Sequence, residues 1–212
     1  MIYFIIMKQQ QQPEKEEKVI ENNNNDDDEK PINFATVEDR IYRSGFPKPN
    51  DFAFLKTLNL KSIICLCTEA YPEENLEFLK ENNIQLFQFG IDGTKDTPIP
   101  RGIITDALKV LIDVRNHPIL IHCKRGKHRT GCLVGCLRKL QNWCMSSVLE
   151  EYKVYAGKKS REMDLKFLET YDVTYLRQCL HSIIYQYHGY GSKKRRLLYN
   201  KDIQHTPRIS SV

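Results

Sequence analysis

One segment constrains this chain more than any other: a buried strand that ends on a cysteine and passes through a short loop into a helix. Pro118-Ile-Leu-Ile-His-Cys123 is a largely apolar run, Lys124-Arg-Gly-Lys-His-Arg129 follows it, and a helical pattern begins at Thr130. Successive backbone N–H groups in such a loop, wrapped onto a helix N-terminus, form a cradle for a tetrahedral dianion. The segment therefore predicts an anion site at the end of a buried strand.

Two residues of this segment carry reactive chemistry, Cys123 and, six positions later, Arg129. Helix N-termini favour the ionised form of a cysteine, so we expect Cys123 to be a thiolate nucleophile at neutral pH. The planar fork of Arg129 can bind two phosphoryl oxygens and neutralise charge in the transition state. Thr130 can place a hydroxyl near the sulfur to ease its departure in a second step, whereas His122 is expected to orient the loop.

The spacing of Cys123 and Arg129 is not decisive by itself, because the same spacing separates Cys132 from Arg138. Cys132 lies in an apolar run that continues as a helix, where a thiol simply packs. Cys123 instead ends a strand and opens a loop that contains Gly126. The strand-loop-helix setting favours Cys123 as the nucleophile over a buried structural thiol.

The rest of the central region alternates between strands and helices. Strands are predicted at 41–44, 62–66, 84–89 and 118–123, and helices at 50–58, 72–79, over 103–112, from 130, at about 145–156 and at about 160–171. A loop over 90–98 separates the third strand from the next helix. This alternation predicts an α/β sandwich with a central, mainly parallel sheet flanked by helices.

Composition divides the chain into three parts. Residues 1–31 contain runs of Gln, Asn and Asp and are expected to be a disordered leader, since such tracts bury little apolar surface. Residues 32–172 form the predicted domain. Residues 173–212 carry seven Lys and Arg against one acidic residue and are interpreted as a basic extension, with Lys193–Arg196 as a solvated cluster, a nuclear address or a lipid contact. The weakly basic middle does not favour nucleic acid as a partner.

The cysteine spacing and the hydropathy of the chain indicate the cellular compartment in which the protein resides. The seven cysteines include no Cys-x-x-Cys pair and no Cys/His spacing suited to zinc, so no metal is expected. Cys65 and Cys67 lie in an apolar run, where strand alternation places them on one face. Most thiols are expected to be buried and reduced, in the cytoplasm with the nucleus as a second compartment. No apolar run reaches the 18 residues of a membrane span.

The residues around Cys123, and three further motifs, resemble those of a known family. His122-Cys-Lys-Arg-Gly-Lys-His-Arg-Thr-Gly131 resembles the signature of cysteine-dependent enzymes with the protein-tyrosine-phosphatase fold. Ile41-Tyr-Arg-Ser-Gly-Phe-Pro47, Gln88-Phe-Gly-Ile91 and Arg138-Lys139 extend the likeness to the plant and fungal atypical dual-specificity phosphatases, the Siw14-like group. The resemblance covers roughly residues 32–172 and leaves out both tails.

This resemblance implies hydrolysis of the β-phosphate of diphosphoinositol polyphosphates through a phosphocysteine on Cys123, without a cofactor. Some members also act on phosphotyrosine, so a dual-specificity phosphatase acting on phosphopeptides is the alternative. A phosphate-binding module without turnover would have lost Cys123 or Arg129. A rhodanese-like sulfur carrier is disfavoured by Arg129 followed by Thr130.

Charge in the loop favours the polyanionic inositol phosphate as substrate, with phosphoproteins as a further class of partner. Four of the five residues between Cys123 and Arg129 can be cationic, and a ring of cations suits a ligand with several phosphates. Substrate contacts are accordingly predicted for Ile91, Lys95, Lys124, Arg125, Gly126, Lys127, His128 and Arg129.

The general acid is expected in the 90–98 loop, which offers Asp92 and, less favourably, Asp96. A simple turn residue is an equal alternative for Asp92 and the favoured interpretation for Asp96. A phosphate leaving group, with a second pKa near 6, needs less acid help than a tyrosine, with a pKa near 10. A weak acid at this position would thus select for pyrophosphates.

Overall fold

Five short strands form one sheet in the order β1-β2-β5-β3-β4. The computed structural model describes residues 30–95 and 97–180 of the chain. The strands are β1 Ala35–Glu38, β2 Ile41–Ser44, β3 Ser62–Cys65, β4 Gln85–Gln88 and β5 Ile119–His122. Only β1 is antiparallel to its neighbour, and the other three pairings are parallel. The prediction of a mainly parallel sheet is confirmed.

The central strand β5 determines where the carboxyl ends of its neighbours lie. Its four residues are buried, as expected for a parallel strand covered on both faces. In the register, His122 lies opposite Ser44 of β2 on one side and Cys65 of β3 on the other. The last residues of three strands therefore meet at one edge of the sheet, and Cys123 follows directly from that edge.

Six helices with defined bounds connect and cover the strands. They are α1 Phe52–Thr57, α2 Glu73–Glu81, α3 Arg101–Ile112, α4 His128–Leu140, α5 Met145–Ala156 and α6 Glu162–Thr170. The predicted helix at 145–156 is confirmed at both ends. Helix α1 begins after a 3₁₀ turn at Pro49–Asp51, where the carboxylate of Asp51 accepts the backbone N–H of Lys48.

Two differences from the sequence-based prediction matter most for the site and the sheet. Helix α4 begins at His128, two residues before the predicted start, so Arg129 lies in its first turn rather than in the loop. Strand β1 was not predicted. It is a four-residue edge strand in which only Val37 is buried, and a turn in which Arg40 has a φ of 62° reverses the chain into β2.

Ordered structure continues past residue 172. Residues 174–180 are helical, and Val173 and Leu176 are buried. Arg177 donates to the carbonyl of Lys139 at the end of α4. Residues 1–29 of the predicted leader (1–31) and the cluster Lys193–Arg196 lie outside the described residues, so the proposed division of the chain remains a prediction.

Most of the cysteines are buried, as predicted. All seven cysteines are free, and five of them are buried. Within the described part of the chain, no helix is long and apolar enough to cross a membrane.

Helix α4 approaches α5 and α6 closely because it carries glycines on that face. A Cβ at Gly135 would lie 2.6 Å from Leu168 Cδ2 and 3.3 Å from Val148 Cγ1. Leu168 and Val148 are both fully buried, so neither side chain has open space to move into. The absent side chain therefore sets the distance between α4 and its partners.

We expect Gly135→Ala to lower the free energy of unfolding by about 1–3 kcal/mol, the cost of overpacking a core. Gly102→Ala, on the exposed first turn of α3 where a Cβ meets nothing within 4 Å, is the matched control. It should raise stability by up to about 1 kcal/mol through helix propensity. Urea unfolding measures both, and equal effects of the two substitutions would contradict the packing argument.

Candidate active site

The loop after β5 has the predicted arrangement. Cys123 follows the last residue of the strand, is only 2% exposed, and lies at the base of the loop that leads to α4. Gly126 has a φ of +68°, and a Cβ there would lie 2.6 Å from the carbonyl carbon of Ser44. Glycine at this position lets the loop rest directly on the end of β2.

Three carbonyls of the loop are bonded to the β1–β2 side of the molecule. Asn33 donates to the carbonyl of Arg125 at 2.7 Å, Arg43 donates to that of Gly126 at 3.0 Å, and the Phe46 N–H donates to that of Lys124 at 3.4 Å. The C=O and N–H of a trans peptide point in opposite directions. The N–H groups of the loop therefore face the other side, where they can bind an anion.

Arg129 is held in place by two carbonyls. Its Nη1 donates to the carbonyl of Leu66 at 3.0 Å and to that of Ile91 at 2.8 Å, and the residue is 7% exposed. A Cβ at Gly93 would lie 3.0 Å from Nη2, so this glycine allows the loop after β4 to lie on the guanidinium. Since Nη1 makes both bonds, the Nε–Nη2 edge is the one suited to a bidentate phosphoryl group.

His122 supports the loop as a neutral imidazole. It is fully buried, its Nε2 lies 3.2 Å from the Tyr71 hydroxyl, and Phe46 packs edge-on against the ring. Burial lowers the pKa of His122 to about 3. The ring therefore carries no charge at neutral pH, which agrees with an orienting role rather than proton transfer.

Thr130 is fully buried in the first turn of α4, and its hydroxyl has no hydrogen-bond partner among the described residues. Buried hydroxyls without a partner are uncommon. A hydroxyl left free in this position suits the predicted role beside the Cys123 sulfur, which remains a prediction.

The loop after β4 contributes a backbone group to the site. The side chain of Ile91 is fully buried, and the substrate contact predicted for this residue stays a prediction. Its carbonyl holds Arg129. Lys95 is exposed, and Asp96 lies outside the described residues.

Asp92 is exposed and already saturated with hydrogen bonds. Its carboxylate accepts the Thr94 N–H at 3.0 Å and the Thr94 and Thr97 hydroxyls at 3.1 Å. These bonds, led by the Thr94 N–H, lower the pKa of Asp92 below its ordinary value. The carboxyl group is therefore ionised at neutral pH and is a poor proton donor in this arrangement.

The predicted ring of loop cations divides into two pairs. Lys124 and Arg125 are exposed. Lys127 Nζ instead lies 3.4 Å from the carbonyl of Ala156, and His128 Nε2 lies 2.7 Å from the carbonyl of Lys159. The second pair thus attaches the loop to the connection between α5 and α6, and burial lowers the pKa of His128.

Two arginines of the site were not predicted from sequence. Arg43 is 1% exposed, holds the Gly126 carbonyl, and lies 3.6 Å from the centre of the Tyr155 ring. Burial lowers its pKa, while nearby groups, Cys123 among them, act in the opposite direction. Arg43 therefore brings a buried positive charge close to the nucleophile.

Arg161 is the second of these arginines. It precedes α6 and donates to the carbonyls of Gly93 and Thr94, both at 3.1 Å. It joins the α5–α6 connection to the loop that covers Arg129. The only indication of Arg43 in the sequence was a charged residue inside a predicted strand. The local sequence pattern gave no indication that Arg161 belongs to the site.

Comparison with known proteins agrees with this geometry. A sequence profile described as the tyrosine phosphatase family matches residues 30–195. The chain belongs to this family.

Related members of the family include inositol diphosphatases. Inositol diphosphatase DSP3 of Arabidopsis thaliana is 68% identical over 180 residues, which are 84% of this chain and 89% of that protein. Inositol diphosphatase SIW14 of Saccharomyces cerevisiae is 50% identical over 145 residues, 67% of this chain and 52% of that protein. The crystal structure of the core catalytic domain of PP-IP phosphatase SIW14 from S. cerevisiae, in complex with citrate, has a TM-score of 0.71 and 46% identity and covers 74% of this chain and 95% of that one. The phosphatase-like α/β fold is thereby confirmed.

We expect Arg43→Met to lower kcat for p-nitrophenyl phosphate by at least about tenfold, because the substitution removes a buried charge beside Cys123 and the bond to Gly126. Nε and Nη1 of Arg43 have no hydrogen-bond partner among the described residues, so its loss should leave Tm unchanged or raise it. Tyr155→Phe, which keeps the ring, is the control. A decrease of both Tm and kcat would show that Arg43 acts through the stability of the fold and would contradict the proposed role of its charge.

Proposed function

We propose that this chain hydrolyses the diphosphate group of inositol diphosphates through a phosphocysteine on Cys123. The observation that carries the proposal is the cradle itself: a buried cysteine at the base of a loop with outward-bonded carbonyls, beside an arginine fixed by two carbonyls. The inositol diphosphatases among its relatives support this choice of substrate.

The reaction follows from the positions of three side chains. The Cys123 sulfur attacks the terminal phosphorus, and the bond from that phosphorus to the bridging oxygen breaks, which leaves a phosphate monoester on the inositol. Arg129 and the loop N–H groups bind the transferred phosphoryl oxygens. Water then attacks the phosphocysteine, releases orthophosphate and restores the thiolate, while the Thr130 hydroxyl stabilises the departing sulfur.

The state of Asp92 supports an anhydride as the scissile bond. A carboxylate that accepts three hydrogen bonds is stabilised in its ionised form and is therefore a poor donor of a proton to a leaving oxygen. An aryl or alkyl oxygen needs that proton, whereas a phosphate leaving group has a second pKa of about 6 and departs as an anion. The site is thus better matched to pyrophosphate cleavage than to ester cleavage.

Positive charge around the cradle supports a ligand with several phosphates. Lys124 and Arg125 are exposed on the loop, and Lys95 is exposed on the neighbouring loop. Lys158 and Lys159 are exposed in the connection that His128 fixes beside the cradle. A single phosphotyrosine needs far less charge than these side chains supply.

A second candidate is a phosphatase of phosphopeptides, which the family match favours. It would use Cys123 and Arg129 in the same way. The two candidates differ in their leaving groups and in the number of charges on the ligand, so substrate comparison separates them.

The deciding experiment measures phosphate release, without added metal, from a diphosphoinositol polyphosphate and from a phosphotyrosine peptide. We expect kcat/KM to be at least about tenfold higher for the diphosphate, and Cys123→Ser to abolish both activities. A preference for the peptide would favour the second candidate. Release that persists in Cys123→Ser would overturn the mechanism.

The same assay tests the exposed cations. Joint substitution of Lys124 and Arg125 by Ala should lower kcat/KM for the inositol substrate by at least about tenfold and leave the peptide little changed. Lys56→Ala is the control, since Lys56 is an exposed lysine in the last turn of α1, which precedes the amino end of β3. An equal decrease of kcat/KM for both substrates would contradict the argument that these cations select the inositol substrate.

For Asp92→Asn we expect diphosphate hydrolysis to stay within about threefold of the unsubstituted rate, with an unchanged pH profile. Because the pKa of Asp92 is lowered, its carboxyl group is ionised throughout the neutral range and does not titrate there. Loss of a general acid costs about 10²–10⁴ in rate. A fall of that size in kcat for the diphosphate would show that Asp92 does protonate the leaving group.

A further inference from the structure

Three metal-ligating side chains lie together behind the catalytic loop, in a place that the proposed reaction does not use. Cys65 ends β3, Cys67 follows two residues later, and His122 ends the adjacent strand β5. The two sulfurs and a ring nitrogen all lie within 4.8 Å of one another. None of the three residues is more than 2% exposed.

We propose that Cys65, Cys67 and His122 form a binding site for a thiophilic divalent cation such as Zn²⁺, and that its occupancy lowers the activity of the phosphatase. In a tetrahedral zinc site the Zn–S distance is about 2.3 Å and the Zn–N distance about 2.0–2.1 Å, which separates the ligand atoms by roughly 3.5–3.8 Å. The three side chains reach that spacing by shifts of about 1 Å.

The charge balance of these ligands suits a buried ion. Two thiolates and one neutral imidazole together carry two negative charges, which neutralise a divalent cation, so binding buries no net charge, which would otherwise be costly. Soft thiolate ligands also select Zn²⁺ and Cd²⁺ over Mg²⁺ and Ca²⁺. Three protein ligands leave a fourth position to water or to an oxygen donor.

Tyr71 supplies an oxygen beside this cluster. Its hydroxyl lies 3.2 Å from His122 Nε2, and the residue is 7% exposed. Oxygen partners of this kind orient the ligating histidine in metal sites. The site was not predicted from sequence, because Cys-x-Cys lacks its third ligand until β3 and β5 pair and bring Cys65 opposite His122.

The cluster is coupled to catalysis through the residue between the two cysteines. The Leu66 carbonyl accepts the bond from Arg129 Nη1 at 3.0 Å, and the Leu66 N–H donates to the His122 carbonyl at 2.9 Å. His122 in turn precedes the nucleophile. Closing Cys65, Cys67 and His122 around an ion therefore displaces an anchor of Arg129 and the residue before Cys123.

Binding is tested on the full chain with Cys123→Ser and Cys144→Ser, which remove the nucleophile and an exposed thiol. Titration with Cd²⁺, followed by the ultraviolet thiolate-to-Cd²⁺ band, should saturate at one ion per chain. Cys65→Ala in this background should lower the affinity at least about a hundredfold. Cys136→Ala, which removes a buried thiol of α4 outside the cluster, should not.

X-ray absorption on the Zn²⁺-loaded background protein tests the ligand set without altering the cluster. We expect two sulfurs at about 2.3 Å and nitrogen or oxygen ligands at about 2.0 Å. A ligand set without sulfur, or Cd²⁺ binding that survives Cys65→Ala, would overturn the site. Neither result depends on the substrate of the enzyme.

Coupling is tested with p-nitrophenyl phosphate and the chain that retains Cys123. We expect Zn²⁺ to inhibit reversibly on chelation, and Cys65→Ala to raise the inhibitory concentration at least about tenfold without changing kcat in the presence of chelator. Equal inhibition of both proteins would place the inhibitory ion on Cys123 and overturn the coupling.

Discussion

The close approach of the catalytic loop to the end of β2 is the contact on which the site depends. Gly126 can rest on Ser44 only because it has no side chain and adopts a positive φ. That approach brings the Gly126 carbonyl within reach of Arg43, which rises from β2. With the carbonyls bonded outward, the loop N–H groups are available to an anion, and Cys123 lies at their base.

Local pattern was enough to predict much of this arrangement. The buried strand, the glycine and the helix around Cys123 lie within about 20 residues, so periodicity and turn chemistry locate them. Helix α5 was also predicted at its observed position. Strand β1 was not predicted, because its four edge residues, two half-buried, one exposed and one buried, carry no clear alternation. The fold class depended on alternation of elements, which a missed edge strand does not disturb.

Contacts between distant parts of the chain could not be predicted from the sequence. Arg43 and Gly126 are 83 positions apart, and Arg161 reaches a loop 67 and 68 positions earlier. The loop cations show the same limit. The number of cationic residues in the loop could be read from the sequence. Only the structure shows that Lys127 and His128 are bonded to the α5–α6 connection, whereas Lys124 and Arg125 are exposed. The sequence therefore shows how many charged residues the loop has, whereas tertiary packing determines which of them are accessible to a ligand.

The two carbonyls that hold Arg129 have a thermodynamic consequence. A free arginine side chain loses as much as about 2 kcal/mol of rotamer entropy when it is fixed. The Leu66 and Ile91 carbonyls restrict Arg129 when the protein folds. That entropy is therefore lost once in the lifetime of the folded molecule rather than in each catalytic cycle. Each incoming phosphate meets a guanidinium that is already ordered, and its binding energy remains for the transition state.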